Sequence, residues 1–174
     1  NWFCGFVAGE NGFADLEGFI CINNKIVSGG DDGIMVGGGG SAIRNVKNVL
    51  VQNNFIDKKG KNVLSAVPIR FGSYETSTTK IYNSIISNNI ITETTTEGIF
   101  ITDSEGCVIS NNIVSDFGKF GQTNPAITIE DCKDISMIAN KIKNPLFNCY
   151  GVFSKNNENI NISENTIEAN NVDS

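Results

Sequence analysis

Two adjacent carboxylates, Asp31 and Asp32, stand directly before the short apolar run Gly33-Ile34-Met35-Val36. Packing like charges together raises one pKa and can keep that group protonated. One carboxyl could then protonate a leaving oxygen while the other activates water or attacks carbon, which is the chemistry of glycoside cleavage. Glu97 holds the same place before Gly98-Ile99-Phe100-Ile101 and is the third catalytic candidate. Asp-Asp-Gly is equally a turn sequence ahead of a strand, and that reading stands beside the catalytic one. The chain contains no histidine. Ser-His and Cys-His nucleophile pairs, histidine general bases and histidine-ligated zinc are therefore excluded. Acid–base chemistry must come from Asp, Glu, Lys, Arg or Tyr.

The elements that position these groups repeat along the chain. The segments FICINNKIV, VLVQNNFID, SIISNNIIT, CVISNNIVS, ISMIANKIK and INISENTIE share an asparagine led into by aliphatic residues and followed two residues later by another. These asparagines are Asn24, Asn54, Asn89, Asn112, Asn140 and Asn165, spaced 23 to 35 residues apart. A repeat of this length signals a solenoid whose units bury their apolar faces against one another. Short runs of Ile, Val and Phe broken by Gly and Asn are strands, not amphipathic helices. The pattern predicts an all-β, single-stranded parallel β-helix of about six rungs, with three short strands per rung. The asparagine is expected at the bend between the first two strands, where it tolerates left-handed backbone and can bond its counterparts above and below. Residues 1–174 form a single domain on this reading, a piece of a longer chain.

Strand alternation sorts the faces. Residues three and five before each asparagine, and two after it, should point inward. Ile20, Leu50, Ile85, Val108, Phe55, Ile90 and Ile113 should point outward as an apolar strip, larger than a soluble monomer leaves wet. The remaining strand of each rung points Met35, Arg70, Phe100, Thr128 and Phe153 outward. Carboxylates gather at its ends, Asp103 and Glu130 among them. Aromatic faces take the apolar side of a sugar, and carboxylates take its hydroxyls. Arg70, Phe100, Glu130, Asp103 and Phe153 are accordingly the substrate-binding candidates for a polysaccharide, with Arg70 able to grip a carboxylate or bridge hydroxyls. An ordinary solvated face is the alternative.

The net charge of −6 argues against nucleic acid, whose phosphates need cations, and against an acidic membrane surface. No run of 18 apolar residues occurs, so no transmembrane helix is expected. The five cysteines are odd in number and lack metal-ligand spacing; Cys21 and Cys107 fall on inward positions as small apolar fillers. Free thiols point to assembly in a reducing compartment. No metal site and no cofactor are expected.

The repeat resembles the right-handed parallel β-helix of the pectin lyase-like superfamily, over about Gly18 to Ile167. In polygalacturonase-like glycosidases of that superfamily a paired aspartate precedes the strand that floors the cleft, and Asp31-Asp32 before Gly33-Ile34-Met35-Val36 looks like that element. The likeness departs elsewhere: the histidine of the family's Gly-His-Gly is missing, and Arg70 in Pro68-Ile69-Arg70-Phe71 matches its basic element only loosely. The resemblance implies a polysaccharide depolymerase of the bacteriophage tailspike type, meeting its copies in a trimer along the apolar strip. It implies a virion tail or extracellular setting. A non-catalytic glycan-binding or shaft module, and a polysaccharide lyase, are the alternatives.

Overall fold

In the computed structural model, residues 6–8, 15–27, 32–37, 44–57, 67–72, 79–118, 124–146 and 149–168 are described. Their regular structure is entirely β, in 22 short strands. Every strand pairing is parallel and joins one coil to the next, so the chain winds as a solenoid around three sheets. The first sheet stacks Phe6–Ala8, Ile34–Val36, Ile69–Phe71, Ile99–Thr102, Ile127–Glu130 and Val152–Lys155. The third stacks Lys25–Val27, Phe55–Asp57, Ile90–Thr92, Ile113–Ser115, Lys141–Lys143 and Thr166–Glu168. The second lies between them in two adjoining rows, which merge in Lys133–Ile138 and Glu158–Ser163.

The asparagines stack as expected at the bend between the second and third sheets. Both the backbone and the side-chain N–H of Asn54 donate to Oδ1 of Asn89, at 2.9 and 3.0 Å. Asn89 does the same to Asn112, Asn112 to Asn140, and Asn140 to Asn165, all at 2.9 to 3.0 Å. The side-chain amide also reaches backwards. Asn89 Nδ2 donates to the Val51 carbonyl and Asn112 Nδ2 to that of Ile86, so one side chain ties three rungs together. These are groups that the bend would otherwise bury unpaired.

One expectation is corrected. The ladder asparagines do not carry the left-handed backbone; the residue before each does. Asn23, Asn53, Asn88, Asn111, Ala139 and Glu164 have φ between 54° and 59°. The ladder side chain has to point along the stack, and the turn itself is made one residue earlier. A second left-handed position recurs six residues before each ladder asparagine, at Gly18, Asn48, Asn83, Gly106, Asp134 and Asn159. It folds the two rows of the second sheet against each other.

The core follows the predicted alternation. Cys21, Val51, Ile86, Ile109 and Met137 are buried in one column, and Ile26, Ile56, Ile91, Val114 and Ile142 in another. Ile162 and Ile167, in the same columns on the last described rung, are exposed. The strip is outward as expected: Ile20, Ile85 and Ile90 are exposed and Leu50, Val108, Phe55 and Ile113 are half-buried. Lys25 sits 5.9 Å over the Phe55 ring at one end, and the next two rungs continue the strip as Ser136, Asn161, Lys141 and Thr166.

The ladder can be weighed directly. Asn112→Ala removes the acceptor for two Asn89 donors and the donor to the Ile86 carbonyl, at a fully buried site. Each buried polar group left unpaired costs about 1–3 kcal/mol. Urea titration should show about 3 kcal/mol lost, and Asn24→Ala, on the half-buried first rung, should lose clearly less.

Candidate functional site

The first sheet positions the candidate groups. Its strands are entered through glycines that the stacking demands. A Cβ on Gly33 would lie 2.5 Å from the Pro68 carbonyl oxygen, and one on Gly98 would lie 2.5 Å from a Val114 methyl and 3.1 Å from the Ala126 carbonyl oxygen. The glycine of Asp-Asp-Gly is therefore set by rung-to-rung packing.

Asp32 does not reach the surface. It is 1% exposed, accepts the Val67 backbone N–H at 2.7 Å, and receives Nη2 of Arg70 on the same oxygen at 2.9 Å. Its carboxylate and the Arg70 guanidinium form a buried ion pair that joins two successive rungs. The expected catalytic role for Asp32 has no access to substrate in this geometry, because the carboxylate is turned to its neighbours in the stack. The same pair occupies Arg70, whose side chain is 12% exposed. Asp31 lies outside the described residues.

Four other candidates come together. Glu97, Phe100, Glu130 and Phe153 line one cavity of about 350 Å³ over the first sheet, with Pro125, Thr128 and Tyr150. Phe100, Thr128 and Phe153 are cross-strand neighbours on successive rungs. Phe100 points outward by alternation yet is only 4% exposed, whereas Phe153 and Tyr150 are open to solvent at 39% and 62%. The strand register puts Glu97 at the start of the sheet's rows and Glu130 at the end, so the carboxylates flank an aromatic groove. Five residues at about 3.3 Å each separate those levels, which is too far for one acid–base couple.

Asp103 lies elsewhere. It lines a second cavity of about 220 Å³ at the corner between the first and second sheets, with Lys80, Tyr82, Ser104, Glu105, Asp131 and Lys133. Asp103 and Asp131 follow the register partners Thr102 and Glu130, on successive rungs, and both hold left-handed turns. Burial pushes the Asp103 carboxyl above its ordinary range; the Thr102 hydroxyl at 3.3 Å and Lys80 pull it back, and the Asp131 charge adds to the rise. The two cavities adjoin in sequence, since Glu130 lines one and Asp131 the other.

Sequence reasoning missed Tyr150 as a site residue, and it grouped Asp131 with the groove carboxylates, not with a separate corner. Tyr150 precedes Gly151 as Glu97 precedes Gly98, so the motif position was there to be read. Burial pushes the Cys107 thiol up to about 11 and that of Cys132 up to about 12. Cys21, Cys107 and Cys132 are buried thiols outside any disulfide. Among the described residues no three or more potential metal ligands cluster together.

A parallel solenoid with an aromatic and acidic groove on one sheet is a β-helix module of the carbohydrate-active or structural kind. The chain belongs to the right-handed β-helix family: the model of the right-handed β-helix region matches residues 6–173, which also supplies the hand of the coil. No curated protein and no solved structure matches the chain.

The buried pair has a measurable signature. Asp32→Asn or Arg70→Met leaves one buried partner uncompensated, which costs about 3–5 kcal/mol. In denaturant titrations the double change should lose clearly less than the two single losses added, because the two share one interaction.

Proposed function

We propose that this chain is a carbohydrate-binding β-helix module that holds a polysaccharide in the groove over the first sheet. The observation that carries this reading is the lining of the groove. Tyr150 and Phe153 offer exposed ring faces to the apolar side of a sugar, Glu97 and Glu130 offer acceptors to its hydroxyls, and the cavity is of a size for such a ligand. The test is retention on a panel of immobilised polysaccharides, followed by titration of those retained. Tyr150→Ala and Phe153→Ala should each weaken binding by about tenfold, or about 1.4 kcal/mol. If no polysaccharide is held, the shaft reading takes its place.

A second reading, hydrolysis, is favoured by one observation. Asp103 and Asp131 follow register partners on neighbouring rungs and line one cavity, and glycoside cleavage uses a pair of carboxyls. Asp103, the group shifted upward, would serve as the acid and Asp131 as the nucleophile. A glycan leaving the groove past Glu130 would reach them. Activity would require Asp103 protonated, so it should fall as pH rises through that raised pKa. Reducing-end release on incubation with a bound polysaccharide, lost by a factor of a hundred or more on the order of general acid catalysis in Asp103→Asn and Asp131→Asn, is the expected result. Release that survives both changes rules this corner out.

A further inference from the structure

We propose that the groove over the first sheet selects glycans without anionic groups, uncharged or amine-bearing, and turns away uronates and sulfated sugars. This rests on the glycan-binding reading above and names the substrate class of the same site.

Three observations carry it. The first is charge. Among the described residues that line the groove, two are carboxylates, Glu97 and Glu130, and none is a cation. Lys155 lies in register with Glu130 at the strand end, outside the lining. The chain as a whole carries −6, so the wider field also opposes an anionic polymer. The second is the place of Arg70. It stands beside Phe100 on the neighbouring rung, but its guanidinium is held by buried Asp32 at 2.9 Å. A guanidinium already paired with a buried carboxylate offers a uronate less net positive charge.

The third is a neutral polar group. Thr128, 3% exposed, stands between Phe100 and Phe153 in the register, and its hydroxyl oxygen has no hydrogen-bond partner. A buried hydroxyl without a partner is an open position for one. Phe153, the exposed ring beside it in the register, lines the same groove. A hydroxyl both donates and accepts, so it pairs with a sugar hydroxyl, an amide or an amine without asking for charge. Sites that pair neutral groups in this way discriminate by hydrogen bonds and by the repulsion they build against charged analogues.

The experiment compares each acidic polysaccharide with its own carboxyl-reduced form, so that only charge differs. Polygalacturonate, alginate and hyaluronan serve for this, and chitin and chitosan oligosaccharides serve as the neutral and amine-bearing pair. Binding is titrated at low and at high salt. Carboxyl-reduced forms should bind about threefold to fivefold more tightly than the acids at low salt, in line with partly exposed charges. The difference should shrink at high salt. The Glu97→Gln, Glu130→Gln double variant should lose the discrimination, binding each acid and its carboxyl-reduced form equally. Thr128→Val should weaken neutral glycans while leaving the discrimination in place. Equal or tighter binding of the acids by the natural chain overturns the inference. So does a double variant that discriminates as before. If no member of the panel binds, the glycan reading itself falls; if members bind without regard to charge, only the inference does.

Discussion

The asparagine ladder is the constraint on which the rest of the molecule depends. Parallel strands give a solenoid no intrinsic register, since any coil could slide along its neighbour. Here the side-chain amides of Asn89 and Asn112 each donate to Oδ1 of the asparagine on the next coil and to a backbone carbonyl of the preceding coil. A slip of one residue would break these bonds and also exchange inward for outward side chains. The ladder therefore holds register and face together, and it does so from a site that is itself fully buried at Asn89 and Asn112.

That division of labour leaves the first sheet free for other chemistry. The ladder runs along the far bend, and stacked aliphatic columns fill the interior. The outward positions of the first sheet then vary from rung to rung: Met35, Arg70, Phe100, Thr128, Phe153. The lower rungs use this freedom for the buried Asp32–Arg70 pair, and the upper rungs for an aromatic groove with carboxylates at its ends. Isolated pairs of this sort stabilise little in net terms, since desolvation offsets attraction. The Asp32–Arg70 pair is better understood as matching two coils in register than as a source of stability.

The ladder, the inward columns and the outward strip were all legible in the sequence because each repeats at a constant offset from an asparagine. Phe100 and Phe153 were legible as outward for the same reason. What was not legible depended on contacts between rungs. Asp32 looks like a free carboxylate in its own segment; only the placement of Arg70, 38 residues later, buries and pairs it. The turn residues were misjudged by one position, because Asn23, Asn53, Asn88 and Asn111 are asparagines too, and Ala139 and Glu164 hide the difference. Asp103 was read as part of the groove, although a left-handed turn at that residue carries it round the corner beside Asp131.

The corner and the groove also differ in electrostatic character, and the difference follows from the turn. On the strand, alternation places one outward side chain every second residue, so groups of like charge stay separated along the chain. At the corner, equivalent turn residues on successive rungs are stacked directly, and like charges meet. Asp103 and Asp131 are such a pair, with Lys80 and Lys133 lining the same cavity. Stacking converts a repeated turn residue into a pair of interacting titratable groups. In this chain the corner, through Asp103, is where burial and a stacked like charge raise a carboxyl above its ordinary range.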